Sequence, residues 1–306
     1  MFRSRIFARP ILAVLLVSFS APSAYGHGPI PEQIAGITRR IEQDPKNARL
    51  YLRRGELYRV HRAWSPALAD YGRAMTLDAE LDVVDLCRGT MFLEAGWPAS
   101  AKLALDRFLE HHPDHPHGRI TRARALVRLR RHAEAVADYT RAITALNRDA
   151  QSDPAHYLER ARAQIAQGND HEPAALAGLD EGIARLGPLV ILELLAIDLE
   201  LELRQYDNAL ARLERIAAQS PRKDKWLVRR GEILELAERI DLALETYAEA
   251  IEQIRSLPAS RRNAPATRQR RKQLETAIAR LTTEIRTRAT RTAARPEDER
   301  EKGTQR

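Results

Sequence analysis

A spacing of thirty-four residues constrains this chain more than any other feature of it. Gly55, Gly89 and Ala123 stand at that interval, as do Ala67, Ala101 and Ala135, and Tyr71, Leu105 and Tyr139 keep the same register. Ala175, Ala209 and Ala243 resume it, together with Ile197 and Gly231 and with Leu213 and Tyr247. Between the two blocks the register slips by six residues, four before Ala161 and two between Ala161 and Ala175. An interval of this length marks a chain assembled from one supersecondary unit, repeated.

Within a unit the apolar residues follow helical periodicity twice. Tyr51, Gly55 and Tyr58 lie at i, i+4 and i+7, and Ala67, Tyr71 and Ala74 do the same after a short turn. Ser65 before Pro66 predicts the start of the second helix, because a hydroxyl caps free N–H groups and proline at the first helical position loses no bond. Asp207 and Asp241 stand at the equivalent place before Ala209 and Ala243. Two antiparallel helices approach closely only where a side chain is small, so the recurring Gly and Ala predict the crossing points. One such pair leaves an apolar side uncovered, and neighbouring pairs must stack to cover it. The expectation is an all-α fold, an α-solenoid of stacked antiparallel helix pairs. A chain that is 44% hydrophobic but only 5% aromatic has the composition of helices packed through small and aliphatic side chains.

The segment LYLRRGELYRVHRAWSPALADYGRAMTLD carries Tyr51, Gly55, Tyr58, Ala67, Tyr71 and Ala74 in the spacing of the tetratricopeptide repeat family, which the chain resembles, and Pro113 and Pro221 match that family's closing proline. Six units fit, at 47–80, 81–114, 115–148, 153–188, 189–222 and 223–256. Residues 27–46 read as an N-terminal capping helix with Ile34, Ile37 and Ile41 on one face. Residues 257–287 read as a basic C-terminal capping helix with Leu274, Ile278, Leu281 and Ile285 in a stripe, and the apolar-poor residues 288–306 as a disordered charged tail. The chain departs from the family where Arg54, Arg88, Arg122, Arg160 and Arg230 replace a leucine. That ladder reads as a solvated edge paired with acids such as Asp70 and Asp138. Ile197 is bulky where a small residue belongs and Gly182 weakens a helix, so repeats four and five are expected to be the least regular.

The first twenty-six residues read as a signal peptide. Arg3, Arg5 and Arg9 precede the apolar run from Ile11 to Phe19, and Ala24, Tyr25 and Gly26 supply small residues around a cleavage point. The run is half the length that spans a bilayer. The expected location is therefore outside the cytoplasm, periplasmic or extracellular. Cys87, the single cysteine, excludes an internal disulfide and reads as a packing residue.

A formal charge of +8 first suggests a nucleic-acid binder, but its distribution does not. The leader carries three arginines. Residues 258–292 hold nine arginines and Lys272 against Glu275 and Glu284, and 27–257 are slightly acidic. Arg261, Arg262, Arg268, Arg270, Arg271 and Lys272 mark a candidate contact for an anionic surface, or less readily for nucleic acid. No nucleophile elbow, zinc-binding helix or phosphate loop is present, and the chain reads as a non-enzyme without a cofactor. His111, His112, His115 and His117 crowd one stretch with Pro113 and Pro116. They read as a connector between repeats, with copper or zinc binding as the alternative, to which His27 at the cleavage point belongs.

The resemblance implies a concave groove lined by the first helices of successive repeats, which binds a protein or peptide. Leu52, Leu86, Ile120, Leu158, Leu194 and Val228 precede the small position by three. Glu56, Thr90, Arg124, Arg162, Asp198 and Glu232 follow it by one. If both sets face the groove, its floor is apolar, its middle positive and its ends negative, suited to a peptide with apolar anchors and an acidic centre. The Lys and Asn clamp of the family's chaperone-binding members is absent from these positions.

Overall fold

The computed structural model describes residues 29–148, 152–168, 170–220 and 224–302. The leader expected at 1–26 and His27 lie outside these described residues. Every regular element among them is an α-helix, and the chain divides after Ala79 into two compact units.

The first unit holds α1 (Ile30–Gln43), α2 (Ala48–Val60) and α3 (Trp64–Leu77). Ile37 and Ile41 of α1 are buried against Leu50 of α2. The second unit pairs α4 (Val83–Glu94) with α5 (Pro98–His111), α6 (Pro116–Arg128) with α7 (His132–Arg148), and α8 (Pro154–Ile165) with α9 (Glu172–Leu186). It continues with α10 (Val190–Glu202) and α11 (Tyr206–Ala218), then α12 (Asp224–Leu236) and α13 (Ile240–Arg255). It ends with the short α14 (Ala259–Arg262) and the long α15 (Pro265–Lys302).

The thirty-four-residue interval has a direct structural cause. Ala67, Ala101, Ala135, Ala175, Ala209 and Ala243 are all completely buried, each in the second helix of its pair. Across from them the first helix presents Gly55, Gly89, Ala123, Ala161, Ile197 or Gly231. A Cβ added at Gly55 would sit 2.7 Å from the Tyr71 ring, at Gly89 2.5 Å from Leu105, and at Gly231 2.1 Å from Tyr247. The large side chain of one helix thus occupies the space the other leaves vacant.

Each pair also turns on one left-handed residue, seven beyond the small position: Arg62, Gly96, Arg130, Gly168, Arg204 and Glu238. The N–H groups of Ala63, Trp97, Arg131, Gln205 and Arg239 donate back to Tyr58, Phe92, Leu126, Glu200 and Leu234 at 2.7–2.9 Å, closing the first helix. The turn feeds straight into the next helix, which corrects the capping expectation. Ser65, Asp207 and Asp241 occupy the second helical position, behind caps at Ala63, Gln205 and Arg239. The two aspartates serve the positive end of the helix dipole instead.

Gly182 does not break α9, which runs unbroken to Leu186. A Cβ there would lie 2.8 Å from the Tyr157 ring, so the large and small partners have exchanged helices. Ile197 is fully buried, and the backbones of α8 with α9 and of α10 with α11 approach over fewer residues than the other pairs do. Helix α15 packs on α13 through Leu274 and Leu281, with Ala277 and Ile278 beside them. Its backbone stays helical to Lys302, past residue 288 where the sequence predicted a disordered tail. An Arg288–Glu284 pair one turn apart at 2.8 Å supports the start of this segment.

Candidate functional site

The first helices of the second unit are joined side by side through two positions. Arg124 follows its small residue by one and pairs at 3.0 Å with Glu159, which precedes the next small residue by two. Asp198 pairs at 2.6 Å with Arg229 in the same register, with the charges reversed. Glu159 also takes the Tyr139 hydroxyl, and burial followed by that carboxylate holds the phenol well above its ordinary range. Arg229 reaches Glu232 on its own helix at 3.2 Å. In the first unit Glu56 is held by Arg59 at 3.0 Å and by the Tyr71 hydroxyl. The positive middle and negative ends expected of the groove are thus largely neutralised by neighbours. Glu159 and Arg229, the partners that do this, escaped the sequence reading, although their shared place two before the small residue was visible there.

Two junctions between first helices lack such a pair. Thr90 bonds its own helix at the Leu86 carbonyl, and Thr121 across from it bonds the His117 carbonyl. In the same register the residue opposite Arg162 is Leu195, which is half-buried against the core of Leu192 and Ala196 and offers no charge. Arg162 is exposed, and its side chain makes no ion pair or hydrogen bond among the described residues.

The apolar floor is uneven. Ile120 and Leu158 are 4% and 5% exposed and belong to the core, whereas Leu194 is 37% exposed. Leu52, Leu86 and Val228 are half-buried. Around Leu194 the start of α10 also exposes Leu189, Val190 and Ile191.

The arginine ladder lies deeper than a solvated edge. Arg54 grips Asp70 with two bonds of 2.8 Å, Arg122 bridges Asp138 at 2.7 Å and Asp106 at 2.9 Å, and Arg160 is buried between Glu181 and the Gly178 carbonyl. Arg88 bonds Asp85 at 3.3 Å, and Arg230 borders a cleft with Trp226. The expected partners Asp70 and Asp138 are correct. The depth follows from the helices on either side, which shield the guanidinium stems. Repeat five lacks the ladder residue and carries a buried cluster instead. Arg212 bonds Glu200 at 2.7 Å, Glu193 at 3.0 Å and Asp180 at 2.6 Å, while Glu193 is wholly buried. The same nineteen-residue spacing joins Arg119 to Asp138 at 2.7 Å with the signs exchanged.

Two of the four histidines in the histidine-rich stretch have structural tasks. The Gly118 N–H donates to His115 Nδ1 at 3.1 Å, capping α6, and His112 Nε2 meets Asp82 at 2.5 Å. Burial, then His112 nearby, lowers the His115 pKa, which favours the neutral ring that accepts the Gly118 N–H. The His112 and His115 rings are 6.4 Å apart and both pack on Phe108. His111 and His117 are exposed. No group of three side chains able to hold a metal ion occurs among the described residues. No helix among them is long and apolar enough to cross a membrane. Of the basic candidates, Arg261, Arg268 and Lys272 are exposed, whereas Arg262, Arg270 and Arg271 are half-buried. Arg262 donates to the Arg255 carbonyl and Arg271 faces Glu275.

Comparison with known proteins agrees with this architecture. The tetratricopeptide repeat family model matches residues 88–154 and 194–259. A comparison with curated protein sequences gave no match. Among solved structures, that of Naa15/Naa10 bound to HypK-THB is similar with a TM-score of 0.52 at 15% identity, over 81% of this chain and 37% of that one. The pilus biogenesis factor PilW is similar with a TM-score of 0.50 at 18% identity, over 62% of this chain and 86% of that one. A tetratricopeptide repeat protein from Parabacteroides merdae aligns over 80% of this chain and 92% of that one, at 17% identity and a TM-score of 0.48. Two stretches of the chain therefore match the tetratricopeptide repeat model, and the helix pairs of the second unit have the tetratricopeptide-repeat-like fold.

Proposed function

We propose that this protein is an exported, non-enzymatic scaffold that binds protein partners along the row of first helices. The observation that carries the reading is the contrast within that row. Most of its charges are neutralised by neighbouring repeats, while Arg162, Leu194 and the start of α10 remain exposed. Charges that serve only stability end up paired, so the exposed remainder is the surface left for a partner. Export rests on the basic and apolar leader, and N-terminal sequencing of the mature chain from fractionated cells tests it. Binding is tested by photo-crosslinkers at Thr90, Arg162 and Glu232, and at Leu103 on the second helix α5, in the native compartment. Adducts are expected from the row and not from Leu103. Adducts from Leu103 alone would overturn the reading.

A second reading is favoured by α15, whose apolar stripe is taken up by α13 while its Arg268 and Lys272, and Arg261 of α14, stay exposed. Such a helix suits electrostatic contact with an anionic surface. Sedimentation with phosphatidylglycerol vesicles but not phosphatidylcholine vesicles, lost in high salt, is the expected result. Equal sedimentation with both removes this reading.

A further inference from the structure

The register that joins the first helices has one defect that combines charge with apolar exposure. Where Arg124 meets Glu159 and Asp198 meets Arg229, a residue one past the small position finds an opposite charge on the next helix. At the junction of α8 and α10, which pack directly on each other, the same rule sets Arg162 against Leu195. Leu195 turns into the core, so the guanidinium is left without a counter-charge. On the α10 side of this junction, Ile191 is 50% and Leu194 37% exposed, whereas the equivalent Leu158 of α8 is 5% exposed. An unpaired cation beside uncovered apolar side chains is the complement of a segment carrying the opposite charge and the matching apolar groups.

The acidic groups nearby set the orientation. Asp198 is engaged by Arg229. Glu202, at the far end of α10, has its carboxyl pushed above the ordinary range by burial and then by Glu172 and Asp198. An incoming carboxylate is repelled from that end and attracted to Arg162. Packed helix axes lie about 8–10 Å apart, so a carboxylate on α8 and apolar anchors on α10 fall within about three residues of an extended strand.

We propose that the α8/α10 junction is the docking point within the row, and that its occupant is a polypeptide segment placing one Asp or Glu on Arg162 and adjacent apolar side chains on Ile191 and Leu194. The proposal rests on the scaffold reading above and narrows it to one site and one partner chemistry. Its test is panning of a displayed library of random dodecapeptides on the full mature chain. The enriched set is expected to hold an acidic residue within three positions of apolar ones. Its binding should fall about tenfold on Arg162→Glu and on Leu194→Asp, and remain on Arg141→Glu, which makes the same charge change on the second helix α7. Circular dichroism of each variant confirms folding, and Arg162→Gln supplies a milder substitution if Arg162→Glu does not fold. Enriched peptides without acids, or binding untouched by the Arg162 and Leu194 changes, would overturn the proposal. If row crosslinks form in that case, the scaffold reading survives alone. If panning enriches nothing and the row yields no crosslinks, both fall.

Discussion

Glycine is usually counted as a cost inside a helix, and here its sign depends on what it faces. At Gly231 a methyl group would meet the Tyr247 ring at 2.1 Å, and that ring is held in place by the bond from its hydroxyl to Glu235 at 2.7 Å. Gly72, in the middle of α3, has nothing within 4 Å. The same substitution should therefore act in opposite directions. Gly231→Ala is expected to destabilise by about 1–3 kcal/mol through overpacking. Gly72→Ala should stabilise by about 0.5–1 kcal/mol through reduced chain entropy. Urea titrations of both variants check this, and equal shifts would contradict the packing account. At this scale the sequence was highly legible, because a residue excluded by sterics recurs wherever the same contact recurs. It misled at the caps, where Ser65 gave way to Ala63, and where two residues exchanged roles. Gly182 looked like a weak point until its partner was seen to be Tyr157, which lies in the other helix of the pair.

The single helix pair is where the sequence became hardest to read. The sequence assigned Glu193, Glu200 and Arg212 no role, yet the three are buried together. Nothing in one repeat signals this. The clue lies in comparing Arg119 and Asp138 with Glu193 and Arg212, a pair of equal spacing and inverted charge. Two predictions follow from the cluster. Replacing Arg212 by Met takes the cation from Glu200 and leaves the buried Glu193 only the exposed Arg215 at 3.4 Å, and a loss of about 3–5 kcal/mol is expected, visible as faster hydrogen exchange in α10 and α11. Burial raises the Glu200 carboxyl above its ordinary value, with the Arg212 bonds opposing the shift. The native state therefore holds that proton more tightly than the unfolded chain does. The associated stability is fully present below the ordinary carboxyl range near pH 4.5 and is lost as pH rises through the elevated value. Glu200→Gln removes this dependence. Subtracting its stability from that of the wild type should give a difference that falls as pH rises from 4 to 7, and a rising difference would place the pKa shift in the opposite direction.

At the level of the whole chain, repeated pairs stabilise one another only while each exposed apolar side finds a neighbour, so the last pair needs a terminator. Helix α15 supplies it for α13, burying Leu274 and Leu281 almost completely and linking Arg280 to Glu235 at 2.5 Å. The stripe that does this was legible in the sequence, because helical periodicity survives in the basic segment. Where the helix stops was not, because the residues beyond Ile285 leave no apolar pattern to follow. The two parts of α15 should therefore contribute very differently. Truncation after Thr287 leaves the stripe of Leu274, Ile278, Leu281 and Ile285 in place and is expected to leave stability within about 0.5 kcal/mol of the intact chain. Truncation after Asn263 uncovers α13 and removes two buried leucines, each contributing about 1.5–3 kcal/mol. Because solenoid stability is summed over adjacent interfaces, that loss should concentrate in the end pair. Hydrogen exchange is then expected to accelerate in α12 and α13 while α4 to α7 remain protected. Uniform acceleration across the second unit would instead mean that it unfolds as a single cooperative body and that α15 stabilises all of it.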